Sequence, residues 1–244
     1  MSKPAYSSED VLVYDDVLPD DAFARLYRHL GSLNYTSVHR DGWRKVWRLH
    51  DGNPLRGRTV WYRPGEQPPT TNFFPTGSPV DDLIAWIAER EDDIAAVVGT
   101  ASADWTRLSF TPWIYPVGSG LSMHRDGTTY SGAFTYFAHH EWRLHWGGQL
   151  LVLDPRTQPQ VASAARSAPV AFDDRQESLR AFDPGFALTI FPKPNRIAFL
   201  SPRALHLLTR VDTNAGQQSR ISVAGFFHRN VPPSGPDAPR AVSS

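Results

Sequence analysis

The chain has 244 residues, of which 41% are hydrophobic and 12% aromatic, which suits a single β-rich domain with a sizeable core. The 25 basic and 25 acidic residues give a formal net charge of zero, which argues against nucleic acid or an anionic membrane as a partner. Because the chain contains no cysteine, disulfides, thiolate zinc sites and cysteine nucleophiles are excluded. The first ten residues lack the apolar core of a signal peptide, and no run is apolar enough for a membrane span. We therefore expect a soluble, cytoplasmic protein.

The N-terminal part of the chain predicts one strand and two helices. The strand is indicated at 11–14, and a helix begins at Pro19, with acidic residues at its positively charged end, and runs to about residue 30. Residues 34–75 are aromatic, basic and interrupted by Gly and Pro. A second helix is predicted with Ser78 as N-cap and Pro79 at the first helical position. Its buried stripe consists of Val80, Leu83, Ile84, Ile87, Ile94 and Val98.

From residue 104 the hydrophobic period changes to that of strands. Eight strands are predicted near 105–117, 121–125, 130–138, 148–153, 187–191, 195–200, 206–211 and 219–228. We expect a mainly β fold, a double-stranded β-helix related to the jelly roll, with the N-terminal helices packed on one outer face. One domain should span 1–230, with a helical and substrate segment at 1–103 and the β-helix core at 104–230. The polar segment 154–185 is predicted to be a mobile loop or lid at the barrel mouth, and residues 231–244 a disordered tail.

A His-x-Asp pair, His124 and Asp126, lies on a predicted strand. Side chains two residues apart on a strand point to the same face, so the imidazole and the carboxylate can reach one metal ion. His206 follows 82 residues after His124, and a basic residue, Arg220, follows 14 residues after His206. Two histidines and one carboxylate form the facial triad of non-haem Fe(II) oxygenases. The sequence therefore predicts an iron site at these three residues.

Further features accompany this triad in a fixed order. They are Tyr115 nine residues before the His-x-Asp pair, the aromatic strand 134–137, Trp142, the segments 147–153 and 192–200, His206, and Arg220 followed by Ser222. In this order and spacing, residues 105–227 resemble the Fe(II)- and 2-oxoglutarate-dependent dioxygenases, in their small prolyl-4-hydroxylase-like branch.

The resemblance implies cofactors and roles for the residues that match. Fe(II) would be held by His124, Asp126 and His206, and 2-oxoglutarate and dioxygen would take the remaining metal positions. Arg220 would pair with the C5 carboxylate of 2-oxoglutarate, for which its planar guanidinium is suited. Ser222 faces the same way along the strand and would donate to the same carboxylate.

Other matches are less specific. Tyr115 corresponds to the family tyrosine that hydrogen-bonds 2-oxoglutarate, and Tyr136 or Thr135 could line the pocket from the next strand. Many members of this branch have Lys where this chain has Arg220. Arg occurs at this position elsewhere in the superfamily, and the expected role is the same.

The tetrapeptide His-Arg-Asp-Gly also occurs at 39–42, so His39 and Asp41 are a rival pair of ligands. With that pair, His124 would fall at a plausible distal position, but position 138, where the basic partner belongs, is not basic. We interpret the first copy as a solvated loop whose histidine borders the substrate. A third candidate is the His-His-Glu segment 139–141, which has no tyrosine at the matching upstream position. Adjacent histidines on a strand point to opposite faces, so at most one of them faces inward.

The predicted activity is hydroxylation of an unactivated carbon of a small metabolite, an amino acid or a natural-product intermediate, with release of succinate and CO2. Hydroxylation of a peptide or protein residue, and desaturation or cyclisation, are alternatives. A non-catalytic metal-binding barrel is a different class, against which the Arg220 and Ser222 pair argues. Asp126 argues against halogenation, since halogenating relatives replace this carboxylate with a small residue. No oligomeric state is indicated.

Substrate contacts are expected from 39–75, 138–146 and 154–185, where aromatic and basic residues are interleaved. The aromatic candidates are Trp43, Trp47, Trp61, Tyr62, Trp113, Trp142 and Trp146. The candidates for pairing with a substrate carboxylate are Arg44, Arg48 and Arg58.

Overall fold

The structure is a computed structural model that describes residues 3–40, 49–65, 71–153 and 185–229. These residues form the helices α1 (Asp20–Ser32), α2 (Val80–Ala88) and α3 (Glu91–Val98). They form the strands β1 (Tyr6–Ser7), β2 (Val11–Tyr14), β3 (Thr36–Ser37), β4 (Leu55–Arg56), β5 (Val60–Tyr62), β6 (Arg107–Tyr115), β7 (Leu121–His124), β8 (Tyr130–Phe137), β9 (Leu150–Leu153), β10 (Ala187–Ile190), β11 (Arg196–Leu200), β12 (His206–Leu208) and β13 (Arg220–His228). None of the described helices is long and apolar enough to cross a membrane.

The strands are arranged in two antiparallel sheets. A large sheet of nine strands has the order β1-β2-β11-β8-β13-β6-β4-β3, with β5 also paired to β6. A small sheet of four strands has the order β10-β9-β12-β7. From β6 onward the chain passes repeatedly between the sheets, since β6, β8, β11 and β13 belong to the large sheet and β7, β9, β10 and β12 to the small one. Residues distant in sequence therefore meet between the sheets.

The large sheet has a hydrophobic core on each face. Alternate residues of β13, such as Val223 and Phe227, belong to the core that includes the buried residues of the three helices. We call the opposite side the inner face, and it carries Tyr115 and Phe137. These side chains share a second core with Val152 of the small sheet. Each large apolar side chain buried in this way contributes about 1.5–3 kcal/mol to stability.

The predicted second helix is two helices, so the expectation of one continuous element is wrong. The six residues of its predicted stripe are all buried, but the backbone leaves helical geometry at Arg90, with φ −123° and ψ 19°. No Gly or Pro marks this break. The signal that does mark it is the acidic run 91–93, which places three carboxylates in the first turn of α3.

Ser78 was expected to cap the first of these helices, and this expectation is also wrong. The residue at the N-cap position is Pro79, and the cap has no side-chain hydrogen bond. The Ser78 hydroxyl lies 2.8 Å from Thr76 Oγ1. The Asp81 carboxylate organises the preceding turn instead, since it accepts hydrogen bonds from the backbone N–H groups of Thr76 and Gly77 at 2.8 and 2.7 Å.

The predicted strands agree with the structure more closely. Each of β6 to β13 lies within its predicted range, and β2 has the predicted bounds. The short strands β3, β4 and β5 were not expected, and they extend the large sheet at β6. The predicted tail 231–244 and nearly all of the predicted lid lie outside the described residues. The single-domain boundaries remain a prediction.

Candidate active site

Two neighbouring strands of the small sheet bring the three predicted metal ligands together. The β12–β7 register places His206 opposite His124, and Asp126 follows two residues after His124. The candidate ligand atoms all lie within 4.8 Å of one another, and His124 Nε2 is 3.8 Å from Asp126 Oδ1. Among the residues that the structure describes, this is the one cluster of three or more such side chains that could hold a metal ion.

Backbone carbonyls fix the orientation of both imidazoles. His124 Nδ1 lies 2.8 Å from the Ser122 carbonyl oxygen, and His206 Nδ1 lies 3.0 Å from that of Ala204. With Nδ1–H donating to a carbonyl, Nε2 of each ring is left as the ligand atom, an arrangement common in metal sites. Burial, and then the neighbouring His206, lowers the pKa of His124 to about 4. The ring is therefore neutral at pH 7, as metal ligation requires.

The ligand cluster faces the space between the sheets. His206 and Leu208 lie two residues apart on β12 and so share a face. Leu208 packs in the core between the sheets together with Phe137 and Tyr115 of the large sheet. Because His124 is the cross-strand partner of His206, it lies on the same side. The triad therefore faces the inner face of the large sheet. Two sheets packed face to face are typically about 10 Å apart.

Arg220 lies on the inner face and is 1% exposed. Its Nη1 donates to Ser222 Oγ at 3.2 Å, and its guanidinium carbon lies 5.1 Å from the centre of the Tyr115 ring and 4.9 Å from that of Phe137. Nε and Nη2 have no hydrogen-bond partner among the described residues. Burial lowers the pKa of Arg220 to about 10, so the group is still a cation at pH 7. A buried cation with unpaired N–H groups is costly unless an anion joins it.

The space occupied by the Arg220 side chain depends on Gly148. A Cβ atom on Gly148 would lie 2.9 Å from Arg220 Cδ and 3.3 Å from Trp142 Cζ2, and the backbone φ is +69°. Trp142 is held in place by a hydrogen bond from Nε1 to the Gly147 carbonyl at 2.9 Å. The Gly-Gly pair therefore lets the arginine stem pass beside the tryptophan, where any larger residue would displace it.

The remaining predicted pocket residues differ in the face of the large sheet on which their side chains lie. Tyr115 is the cross-strand partner of Arg220, and burial raises the pKa of its hydroxyl, so the group stays protonated and can donate. Thr135 lies two residues from Phe137 on the same inner face. Tyr136 is wrong as a pocket residue, because it lies in the helix-side core and donates to Asn195 Oδ1 at 2.8 Å.

The structure also shows a hydrogen-bonded group beside the triad that sequence reasoning did not find. Ser122 Oγ donates to Asp51 Oδ1 at 2.7 Å, and His50 Nε2 lies 2.9 Å from the same hydroxyl. Asp51 is buried, and its carbonyl accepts from the Gly120 N–H at 3.0 Å. These contacts tie residues 50–51 to β7, the strand that ends in His124. No local sequence pattern predicts these contacts, since they depend on where the tertiary fold places residues 50–51.

The rival histidines have other partners. His39 Nε2 lies 3.1 Å from the Gly52 carbonyl oxygen, and Asp41 lies outside the described residues. His139 is buried and His140 exposed, so one of the adjacent pair faces inward, as predicted. Both ring nitrogens of His139 lie near backbone carbonyls, at 3.2 Å from Ile221 and 2.6 Å from Pro192. His139 therefore supports the strand of Arg220 and is not a ligand.

The predicted substrate contacts are only partly described. Trp43, Arg44, Trp47 and Arg48 lie outside the described residues, and Arg58 is exposed. Trp113 lies on the inner face, with its ring centre 6.2 Å from that of Tyr115.

Comparisons with known proteins bear on the fold. No protein-family model and no curated protein matches the sequence. A Pseudomonas putida prolyl-4-hydroxylase superposes with a TM-score of 0.57 at 16% identity, covering 90% of this chain and 93% of that chain. The chain has the fold of a prolyl hydroxylase.

Two further structures agree. A Trichoplax adhaerens prolyl hydroxylase, in complex with a peptide of the hypoxia inducible factor oxygen degradation domain, has a TM-score of 0.55 at 11% identity and covers 91% of this chain and 84% of its own. A Burkholderia pseudomallei oxidoreductase of the 2OG-Fe(II) oxygenase family has a TM-score of 0.51 at 14% identity and covers 91% and 85%. The resemblance predicted from the sequence is confirmed at the level of the fold.

Proposed function

We propose that the chain is an Fe(II)- and 2-oxoglutarate-dependent oxygenase that hydroxylates an unactivated carbon and releases succinate and CO2. The observation that carries the proposal is the buried cation of Arg220, which has no carboxylate partner among the described residues and lies in the same inter-sheet space as the triad His124, Asp126 and His206. A dicarboxylate explains both features, because one carboxylate neutralises the arginine while the other end reaches the metal.

The alternation of the chain between the two sheets supports a double-stranded β-helix architecture. The core strands divide between the sheets as β6, β8, β11 and β13 against β7, β9, β10 and β12. Helices α2 and α3 contribute to the core on the outer face of the large sheet. A single domain over 1–230 fits this arrangement.

The donor set suits Fe(II). Two neutral imidazoles and one carboxylate form an open site with positions left for other ligands. When bound, iron supplies the redox chemistry that couples oxidation of 2-oxoglutarate by dioxygen to oxygenation of a C–H bond. The triad residues hold the metal, and the carbonyls of Ser122 and Ala204 keep the two rings aimed at it.

Three residues bind the cosubstrate in this proposal. Arg220 and Ser222 hold the C5 carboxylate of 2-oxoglutarate through charge-assisted and hydroxyl hydrogen bonds. Tyr115 contributes a protonated hydroxyl from the neighbouring strand. The aromatic rings around the guanidinium exclude water, which strengthens the ion pair.

The substrate in this proposal is a small metabolite, an amino acid or a natural-product intermediate. A peptide or protein residue is the second candidate, and the peptide bound by the Trichoplax adhaerens prolyl hydroxylase favours it. A non-catalytic metal-binding barrel is disfavoured, because it would have no use for a buried arginine that has no carboxylate partner among the described residues.

The test is 2-oxoglutarate-dependent succinate formation, screened against amino acids, small metabolites and proline-containing peptides. We expect activity in wild type and in Arg28→Ala, an exposed control on α1, and none in Asp126→Ala. Succinate formation that is equal in Asp126→Ala and wild type would contradict the proposal.

A further inference from the structure

The side chains on the inner face of the large sheet become more exposed along β13, away from Arg220. Along β13 the side chains of Arg220 and Ser222 are buried, whereas those of Ala224, Phe226 and His228, on the same face, are half-buried. On β6, which pairs with β13, Thr111 is half-buried, Ser109 is buried and Arg107 is exposed at the far end. The inner face thus continues from the proposed cosubstrate site as a partly exposed surface.

The first part of this surface is built from short side chains. Ala224 has Thr111 and Thr135 as its cross-strand partners on either side. These three residues come directly after Ser222 along the face. Because none of them is large, a ligand can lie close to the sheet here, beside the proposed cosubstrate.

The second part is an aromatic platform formed by Trp61, Tyr130, Phe226 and His228. Tyr130 and Phe226 are stacked, with ring centres 4.4 Å apart and an interplanar angle of 24°. His228 meets Tyr130 edge-on at 4.9 Å and Trp61 at 5.0 Å. All four side chains are half-buried. Half-buried aromatic rings present apolar surface on which another flat ring can stack.

Arg107 lies at the outer end of the platform. Arg107 is the cross-strand partner of His228, and its guanidinium carbon lies 5.0 Å above the Trp61 ring. Arg107 has no ion pair in the described part of the chain. His228 lies 3.3 Å from Ser109 Oγ through Nε2, and burial, and then Arg107, lowers its pKa to about 4. At pH 7 the imidazole is neutral, so the charge at this end comes from Arg107 and from the exposed Arg229, whose Nε donates to the Tyr130 carbonyl at 3.1 Å.

Resting on the proposed function, we propose that the surface from Ala224 across the aromatic platform to Arg107 is the substrate site and that the substrate is an aromatic carboxylic acid. Its ring stacks on the platform, its carboxylate pairs with Arg107, and its reacting carbon lies over Ala224. His228 lies four positions after Ala224 on β13, which corresponds to about 13 Å at ~3.3 Å per residue. This span suits a compound of the size of an acylated aromatic amino acid.

Calorimetric titration of the full chain, anaerobic and with Fe(II) and 2-oxoglutarate added, tests the proposal without turnover. The probes are N-acetyl-L-phenylalanine, its uncharged amide and N-acetyl-L-alanine. We expect the aromatic acid to bind roughly tenfold or more tightly than the alanine derivative, from burial and stacking of the ring. Phe226→Leu should reduce this preference severalfold, while Tyr6→Leu, an exposed aromatic control on the distant strand β1, should not.

Arg107→Ala should weaken binding of the acid at least fivefold and leave binding of the amide unchanged, with Arg28→Ala as the control. Absence of an aromatic preference, or equal affinities in wild type, Phe226→Leu and Arg107→Ala, would overturn the proposal. The two proposals fail separately. Probe binding with this ranking but no succinate formation would contradict the oxygenase, whereas succinate formation without the ranking would contradict the aromatic acid site.

Discussion

Replacement of Arg220 by Met should raise the stability of the ligand-free protein and abolish tight binding of 2-oxoglutarate. Burial lowers the pKa of this fully buried group from 12.5 to about 10, and at about 1.4 kcal/mol per pKa unit the buried charge costs about 3 kcal/mol. The sign is that of a depressed cation, so the cost is fully present below pH 10. Loss of the hydrogen bond to Ser222 subtracts about 1 kcal/mol. The net expected gain in the free energy of unfolding is about 2 kcal/mol.

The same change removes the partner of the C5 carboxylate. Loss of a buried charge pair costs about 2–5 kcal/mol, which corresponds to a 2-oxoglutarate affinity roughly 30- to several-thousand-fold weaker. Urea unfolding without cosubstrate and calorimetric titration with 2-oxoglutarate measure the two effects on one preparation. An Arg220→Met protein that is less stable than wild type and binds 2-oxoglutarate equally well would refute the reasoning.

Three further changes should have distinct effects. Asp126→Ala should weaken Fe(II) binding and abolish succinate formation while the free energy of unfolding changes little, which titration with Fe(II) and urea unfolding check. Gly148→Ala should weaken 2-oxoglutarate binding at least tenfold, because its Cβ would lie 2.9 Å from Arg220 Cδ at a φ of +69°, and cosubstrate titration with normal Fe(II) binding as the control would show it. Burial lowers the pKa of His139 to about 4, so its contribution is fully present above pH 6.5 and is lost as the pH falls toward 4, at a cost of about 3 kcal/mol. His139→Gln should flatten this part of the stability profile measured by urea unfolding between pH 4 and 8, and an unchanged profile would contradict the assignment.

The parts of the fold that the sequence predicts are those with local signals. The strand period locates β6 to β13, and spacing on a strand places His124 and Asp126 together. The break at Arg90 has only the acidic run after it as a signal. Thr135 and Tyr136 lie on opposite faces of β8. Alternation along the strand predicts this difference, but it does not predict which of the two faces is turned toward the metal.

Contacts between distant segments could not be predicted. The pairing of β4 and β5 with β6 depends on short stretches of two and three residues, below the length at which periodicity is informative. The link from Asp51 to Ser122 joins residues 71 positions apart. The partly exposed surface beyond Ser222 likewise becomes visible only when alternate residues of β13 are compared with their partners on β6.

The most direct test of the proposed site is a crystal structure grown without oxygen in the presence of Fe(II) and 2-oxoglutarate, with iron located by its anomalous scattering. We predict iron bound by Nε2 of His124, Nε2 of His206 and the Asp126 carboxylate, with the C5 carboxylate of 2-oxoglutarate on Arg220. Iron bound elsewhere, or a cosubstrate whose C5 carboxylate does not touch Arg220, would contradict the proposed site.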